Sequence, residues 1–208
     1  MNQPGLFITF EGIDGSGKST QVKHLAKRLS DAGRDVVLTR EPGGSKGAEE
    51  IRSLVLEGVP ERWSAETEIL LFTAARRDHM EKLILPALKE GKIVICDRFA
   101  DSTRMYQGLS RGDLRKTVDS LTDLMITRQP DLTILIDLDP AIGLHRAKAR
   151  NTKEERFEDF GITLQTQMRD GFLKLAQEFS HRFRTVNGGQ PTKSLSEDIY
   201  AHVQKAMK

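Results

Sequence analysis

A glycine-rich run, set between an apolar segment and an amphipathic one, constrains the fold of this chain more than any other feature. It fits the pattern G-x-x-x-x-G-K-[ST] and reads Gly12-Ile13-Asp14-Gly15-Ser16-Gly17-Lys18-Ser19. Residues 6–10 before it are apolar and β-prone, and apolar residues at helical spacing follow it as far as Gly33. Strand, glycine-rich turn and helix, in that order, are the setting in which this pattern forms a phosphate-binding loop.

The residue types in the run suit the phosphates of a nucleotide. Glycines let the backbone turn tightly and approach the phosphates, because no Cβ stands in the way. Lys18 supplies a positive charge to the β- and γ-phosphates, and Ser19 supplies a hydroxyl group to Mg²⁺. The run therefore predicts a site for a nucleotide and its magnesium ion.

Composition excludes several other classes of protein. The 208 residues are enough for one domain with a sizeable core, and a net charge of +2 indicates neither a nucleic-acid partner nor a membrane surface. Cys96 is the single cysteine, so an intrachain disulfide is excluded and a reducing compartment is favoured. We find no apolar run long enough to span a bilayer and no basic leader, and we expect a cytoplasmic protein.

Apolar runs alternate with helical periodicity along the chain. The predicted strands cover residues 6–10, 36–39, 93–96, 132–138 and 184–186, and several are continuous runs of Val, Ile and Leu, typical of strands buried on both faces. The predicted helices cover about 19–32, 47–57, 65–89, 113–126, 140–150, 160–181 and 195–207, the last opened by a capping box at Ser194–Glu197. This order predicts one α/β domain over residues 1–208, with a parallel sheet covered by helices on both faces.

Polar residues follow the predicted strands, at the edge where such folds bind ligands. Asp97 ends the third strand and could hold Mg²⁺ directly or through a water molecule, while Arg98 could bridge two phosphates with its planar fork. An ion pair between these two residues is the alternative, and the phosphate loop at the same edge favours the functional interpretation. Asp137 occupies a similar place after the fourth strand, beside Asp139, which suits the N-cap of the next helix.

Two further groups of residues can each be interpreted either as functional or as structural. Phe72 and Arg76 share a helix face and could stack on a base and bind its exocyclic oxygen, although spacing alone favours a core phenylalanine and a solvated arginine. Residues 146–156 are strongly basic, with Arg146 and Arg150 on one face. This segment is either a solvated helix end or a lid that closes cations over phosphates, and the residues alone favour neither.

From end to end, the chain resembles the thymidylate kinase family. Thr39–Gly44 reads T-R-E-P-G-G, and residues 97–108 fit D-R-[FY]-x-x-S-[ST]-x-x-Y-Q-G, two elements far more specific than the phosphate loop. Leu71–Arg76 matches as well. The resemblance implies a P-loop kinase fold with a five-stranded parallel sheet, transfer of the γ-phosphoryl group of ATP to dTMP with Mg²⁺, and a homodimer.

The resemblance also implies roles for individual residues. ATP would be bound by Gly12, Ile13, Asp14, Gly15, Ser16, Gly17, Lys18, Ser19 and Thr20. The acceptor dTMP would be bound by Asp14, Arg40, Phe72, Arg76, Arg98, Ser102, Thr103 and Gln107. Ser19 and Asp97 would hold the metal. The catalytic cations would be Lys18, Arg98, Arg146 and Arg150, the last two from a lid at about residues 146–158.

One dipeptide departs from the family pattern, and two rival functions remain. Arg104-Met105 stands where the family usually has a small residue before Tyr-Gln-Gly, which concerns the local shape of the nucleoside pocket. The rivals are a kinase for a different nucleoside monophosphate or deoxynucleoside and a nucleotide-dependent switch or binding module, although the N-K-x-D motif of a guanine switch is absent from the sequence.

Overall fold

A parallel β-sheet forms the centre of the computed structural model, which describes residues 5–58, 62–109, 112–148 and 161–207. Within these residues the strands are β1 Leu6–Glu11, β2 Val36–Arg40, β3 Ile93–Asp97, β4 Leu132–Asp137 and β5 Phe183–Asn187. Their order across the sheet is β2-β3-β1-β4-β5. The predicted five-stranded parallel sheet is confirmed.

Helices connect consecutive strands, as the alternating pattern predicted. The described helices are α1 Lys18–Asp31, α2 Lys46–Leu56, α3 Ala65–His79, α4 Leu85–Lys89, α5 Ala100–Tyr106, α6 Arg115–Met125, α7 Pro140–Lys148, α8 Ile162–Glu178 and α9 Thr192–Ala206. A π-helical turn, Met80–Ile84, joins α3 to α4, so the predicted helix over 65–89 is continuous but not regular. None of the described helices is both long enough and apolar enough to cross a membrane.

Two helices differ from the sequence prediction. Helix α5 was not predicted, because its short sequence is mostly polar, although all seven of its residues are buried. The prediction that a capping box at Ser194–Glu197 opens the last helix is wrong, because α9 begins at Thr192. It follows Pro191, whose fixed φ suits the start of a helix. The Ser196 hydroxyl lies inside α9 instead and donates to Gln21 Oε1 at 2.7 Å.

Alternate side chains of the strands pack on opposite faces of the sheet. Ile8 and Phe10 of β1 lie in the cluster formed with α1 and α9. Phe7 lies in the cluster on the other face, with residues of the π-helical turn, α4 and α5. A third cluster, centred on Phe172 of α8, includes Leu135 of β4. Since helices cover both faces, the strands are buried as their continuous apolar sequences indicate.

Three neighbouring strands end at the same level. Phe10 of β1 and Arg40 of β2 are both in register with Asp97 of β3. The phosphate loop, the segment after Arg40 and the segment after Asp97 therefore leave the sheet side by side, at the edge where α/β folds bind their ligands.

Candidate functional site

The phosphate loop packs directly on the backbone of its neighbours, which only glycine permits. Gly12, Gly15 and Gly17 have φ values of 139°, 73° and 100°. A Cβ on Gly15 would lie 2.0 Å from Gly143 O of α7, and one on Gly12 would lie 2.6 Å from Ile136 O of β4. The glycines of the pattern therefore hold the loop against β4 and α7 as well as shaping it.

Lys18 curls back over the loop that precedes it. Its Nζ donates hydrogen bonds to the carbonyl oxygens of Gly12 and Ile13, both at 2.9 Å, and the residue is only 6% exposed. Burial, together with the nearby guanidinium of Arg98, lowers the pKa of the Lys18 ammonium to about 8. A bound phosphate would oppose both effects, because a nearby negative charge favours the charged form of lysine.

Ser19 and Asp97 meet at the start of α1. Ser19 Oγ donates to Asp97 Oδ2 at 2.6 Å, which joins the first turn of α1 to the end of β3. Hydroxyl and carboxylate oxygens are ligands that Mg²⁺ prefers, and Mg²⁺ usually takes its remaining ligands from phosphates and water. The pair fits a magnesium ion that arrives with a nucleotide. Among the described residues, no cluster of three His, Cys, Asp or Glu side chains could form a metal cage by itself.

Arg98 adopts a left-handed backbone conformation and reaches the phosphate loop. Its φ is 70°, the single positive value among non-glycine residues in the described part of the chain. Nη1 donates to Ser102 Oγ at 3.0 Å and to Gly12 O at 3.3 Å, and Nη2 donates to Asp14 and to the Tyr106 hydroxyl. The guanidinium thus ties α5 to the loop, and its strained backbone at a ligand-binding edge is typical of functional residues.

Glu11, at the end of β1, was not predicted as part of the site. It is fully buried and accepts hydrogen bonds from Phe99 N at 2.8 Å, Ser102 N at 3.2 Å and Ser102 Oγ at 2.6 Å. Burial and the charge of Asp101 raise the pKa of the Glu11 carboxyl to about 7, although Arg98 and the hydrogen bonds from Ser102 Oγ and Phe99 N oppose this shift. A charged residue ending a buried strand was the available signal for it.

A cleft of about 720 Å³ opens between the phosphate loop, α3 and α5. All the predicted substrate-binding residues except Arg40 line it, together with residues that were not predicted. The lining residues are Asp14, Glu41, Pro42, Arg52, Leu56, Phe72, Arg76, Arg98, Phe99, Ser102, Thr103, Tyr106 and Gln107.

Arg76 is buried at the wall of this cleft. It is 3% exposed, and its Nε donates to Glu41 Oε2 at 2.6 Å while its Nη2 donates to Thr103 Oγ1 at 3.0 Å. Its guanidinium carbon lies 5.2 Å from the centre of the Phe99 ring. The solvated arginine that spacing alone favours is therefore wrong, and Phe72, one turn earlier on α3, lines the same cleft.

Arg40 was predicted to bind the acceptor, whereas no role was predicted for Arg52. Arg40 is outside the cleft lining and donates from both terminal nitrogens to Glu49, at 2.8 Å and 3.1 Å. Arg52 of α2, which was not predicted, lines the cleft and donates to Pro42 O at 2.6 Å. Its position on the helix that follows the T-R-E-P-G-G element was the available signal.

The departure at Arg104-Met105 leaves the cleft lining intact, because neither residue lines it. Arg104 is 4% exposed and donates to Asp101 at 2.9 Å and to Asp119 at 2.6 Å. Met105 packs against α8, where a Cβ on Gly171 would come within 2.5 Å of its sulfur. The large pair is therefore accommodated on the far side of α5, by buried ion pairs and a glycine.

Asp137 and Asp139 have separate roles after β4. Asp137 accepts from Arg169 Nε at 2.6 Å and from Arg169 Nη2 at 2.9 Å, which links β4 to α8. Asp139 Oδ1 accepts from Ala141 N at 2.8 Å at the start of α7, so the predicted N-cap is confirmed.

The basic segment lies only partly within the described residues. Arg146 is exposed on the last turn of α7. Residues 149–160, which include Arg150 and the rest of the predicted lid, lie outside the described residues. The structure leaves the choice between a lid and a helix end as the sequence left it.

Comparison with known proteins identifies relatives over nearly the whole chain. A sequence model of the thymidylate kinase family matches residues 10–199. The thymidylate kinase of Ruegeria pomeroyi is 69% identical over 96% of this chain and 94% of its own length. That of Dinoroseobacter shibae is 59% identical over 99% of this chain and its full length.

A solved structure agrees with the described fold. The crystal structure of thymidylate kinase from Ehrlichia chaffeensis superimposes with a TM-score of 0.78 at 37% sequence identity. The superposition covers 97% of this chain and 99% of that one. The likeness therefore extends over the whole sheet and the helices that cover it.

Proposed function

Since this chain belongs to the thymidylate kinase family, whose members transfer the γ-phosphoryl group of ATP to dTMP, we propose that the cleft holds dTMP between α3 and the phosphate loop. In this arrangement the thymine stacks on Phe72 and its O4 accepts a hydrogen bond from Arg76, while the 5′-phosphate faces Arg98. The observation that supports it most is that one cleft is lined both by the buried guanidinium of Arg76 on α3 and by the Arg98 guanidinium beside the loop. Ser102, Thr103 and Gln107 line the nucleoside part.

The donor nucleotide occupies the loop in the same proposal. Residues 12–20 enclose the phosphates of ATP with backbone N–H groups, and the Lys18 ammonium turns from its carbonyl partners toward the β- and γ-phosphates. Ser19 and Asp97 hold Mg²⁺, directly or through water, and the ion neutralises charge on the transferring phosphoryl group. Asp97 and Ser19 are already hydrogen-bonded to each other, so little rearrangement is needed.

Transfer needs charge neutralisation more than proton removal. The acceptor is a phosphate that is ionised at neutral pH, so no general base is required. Lys18 and Arg98 both donate to Gly12 O, which places two cations at the junction of the donor and acceptor sites. Positioned cations at such a junction stabilise the charge that redistributes during transfer.

Asp14 is proposed to accept a hydrogen bond from the 3′-hydroxyl of dTMP. It lines the cleft and already accepts from the Tyr106 hydroxyl at 2.8 Å. Burial alone would raise the pKa of the Asp14 carboxyl, but the positive charges of Arg98 and Lys18 hold it below its ordinary value. The group is thus a carboxylate at neutral pH, which can only accept hydrogen bonds.

Base recognition by Arg76 predicts a ranking of acceptors. We expect dTMP and dUMP to be phosphorylated and dCMP to be poor, with kcat/KM lower by about 10²-fold or more. Cytosine presents an amino donor where Arg76 needs an acceptor, so two donors would oppose each other in a buried place. ADP formation with ATP and each monophosphate in turn measures this ranking. Equal kcat/KM values for dCMP and dTMP would contradict the assignment of Arg76.

The basic segment is proposed as a lid that adds cations to the transition state. Gly15 and Ser16 are neutral, so Lys18 is the one positive charge of the phosphate loop, whereas two nucleotides bring several negative charges together. We expect neutralising Arg146 and Arg150 together to lower kcat by about 10²-fold with little change in melting temperature, because Arg146 is exposed.

The control for the lid is another pair of basic residues four positions apart, Lys23 and Lys27 of α1, which are exposed. Its double alanine variant keeps a normal kcat. Limited proteolysis provides an independent measurement, since the lid becomes resistant when an ATP analogue and dTMP are both bound. Normal turnover in the Arg146 and Arg150 double variant, or cleavage that ignores the ligands, would show that the segment is a solvated helix end.

The proposal also covers the oligomeric state of the protein and its location in the cell. We propose one kinase domain over residues 1–208, paired as a homodimer in the cytoplasm. Leu70 on α3 and Leu124 on α6 are 58% and 71% exposed on two helices that contact each other, and exposed apolar side chains of this kind are frequent at protein interfaces. The buried free thiol of Cys96 agrees with a reducing compartment. The mass of the protein in solution measures the assembly.

A further inference from the structure

Hydrogen-bonded side chains run in a line from Arg76 and Glu41, at the wall of the cleft, to Thr39 of β2. Thr39 Oγ1 lies 2.8 Å from His79 Nε2, and His79 Nδ1 lies 3.1 Å from Glu41 Oε1. The other oxygen of Glu41 accepts from Arg76 Nε at 2.6 Å. Arg76 Nη2 donates in turn to Thr103 Oγ1, which lines the cleft. A series of contacts thus connects β2 to the wall of the cleft.

The middle of this line is buried and closely packed. His79 is 0% exposed and Glu41 is 7% exposed. An ionised carboxylate can only accept, so His79 Nδ1 is the donor to Glu41, and the ring nitrogen at Nε2 faces the Thr39 hydroxyl. Gly44 lies over that last contact, because a Cβ there would come within 2.3 Å of His79 Nε2 and 2.4 Å of Thr39 Oγ1.

We propose that Thr39, His79 and Glu41 are positioning residues that fix the orientation of the Arg76 guanidinium and thereby the preference for the base of the acceptor. The proposal rests on the proposed function, since it takes Arg76 as the residue that contacts the base. Glu41 holds the guanidinium at Nε, and Thr103 holds it at Nη2. With two of its nitrogens fixed, a planar guanidinium presents its remaining N–H groups in one direction.

The positioning residues act on recognition rather than on transfer. Arg76 and Glu41 belong to the wall formed by α3 and the segment after β2, whereas Lys18 and Arg98 converge on Gly12 O at the phosphate loop. A guanidinium that is free to turn can meet either an acceptor or a donor on the base, so discrimination between bases declines. Turnover at saturating dTMP changes little, because the cations at the loop are untouched.

The test is the ratio of kcat/KM for dTMP to kcat/KM for dCMP. We expect His79→Leu to lower this ratio about tenfold and Thr39→Val to lower it about threefold, the usual effects of losing one buried hydrogen bond. His79→Asn keeps an N–H group near the position of Nδ1 and restores most of the ratio. In each variant the KM for dTMP rises and kcat stays within about twofold, which a general loss of stability would not produce.

Thr133→Val is the matched control. Thr133 is a buried threonine of β4 whose hydroxyl contacts Thr9 Oγ1 at 2.9 Å and accepts from Arg182 at 2.7 Å, outside the cleft lining. We expect it to lower the melting temperature and leave the ratio unchanged. A fall in the ratio as large as that in Thr39→Val would overturn the proposal, because the effect would then reflect stability alone.

Arg76→Ala distinguishes the proposed base contact of Arg76 from the positioning role of the residues behind it. If its ratio equals that of the wild type, Arg76 does not discriminate between bases, and both this inference and the proposed base contact are wrong. If Arg76→Ala lowers the ratio while Thr39→Val and His79→Leu keep the wild-type value, the positioning role alone is overturned. Thr39→Val replaces one β-branched side chain with another of similar volume, so it decides the matter even where His79→Leu fails to fold.

Discussion

We expect Lys18→Ala to lower kcat at least about 10³-fold, while the circular dichroism spectrum remains that of the wild type. Lys18 is the one cation that the phosphate loop contributes, and its Nζ already reaches the loop's own carbonyl oxygens, Gly12 O and Ile13 O. Removing it leaves the charge on the γ-phosphoryl group without its nearest protein partner. A coupled assay of ADP formation measures the loss.

Two further variants show whether the loss is due to the missing charge of Lys18. Lys18→Met keeps an unbranched side chain without the charge, and we expect it to lose as much activity as the alanine variant. Lys23→Ala removes an exposed lysine from the same helix and keeps a normal kcat. The melting temperature of both Lys18 variants falls modestly, since two carbonyl oxygens lose a donor. Activity of Lys18→Ala within a few-fold of the wild type would exclude the phosphate-loop mechanism.

For Arg98→Ala we expect a loss on the order of 10³ in kcat, with a much smaller change in the KM for dTMP. Charge redistributes over both phosphates only during transfer, so a residue that bridges them stabilises the transition state more than the bound substrate. In the described structure Arg98 already contacts Gly12 of the donor loop and Ser102 and Tyr106 on the acceptor side.

The controls for Arg98 test charge and geometry separately. Arg98→Lys keeps a positive charge without the planar fork, and we expect an intermediate kcat. Arg128→Ala breaks an arginine–carboxylate pair with Asp131 at 2.6 Å, away from the cleft lining, and keeps a normal kcat. Both Arg98 variants retain a Cβ, so the left-handed backbone at this position is equally strained in each. A variant whose one defect is a raised KM would show that Arg98 only binds substrate.

The sheet could be predicted from the sequence because its strands are continuous apolar runs between glycines and helical patterns. Helix α5 could not, because residues such as Asp101 and Arg104 are charged and become buried only through ion pairs with each other and with Arg182. The π-helical turn at Met80–Ile84 was also missed, since the extra residue shifts the helical period without changing the composition.

The cleft could be predicted from short motifs, but its support could not. Phe72 and Arg76 lie in one motif, and the structure brings them to one wall. Glu41, which pairs with the buried Arg76, is 35 residues away from it in sequence and 38 residues away from its other partner, His79. Arg40 was predicted at the site from its motif; it donates to Glu49 and is not among the residues that line the cleft. Pairing between distant residues has no local signal.

Strands β1 and β3 end side by side in the sheet, and this has a consequence for redesigning the enzyme. The donor loop follows one of these strands and Arg98 follows the other, and the two strands are hydrogen-bonded neighbours with Phe10 opposite Asp97. Neighbouring strands lie about 4.8 Å apart, and this spacing therefore constrains the separation of the groups proposed to act on the two phosphates. The groups proposed to read the base belong to α3 and to the segment after β2. Substitutions on α3 and in the segment after β2 are therefore expected to change the preference for the base, while the groups proposed for phosphoryl transfer keep their positions at the ends of β1 and β3.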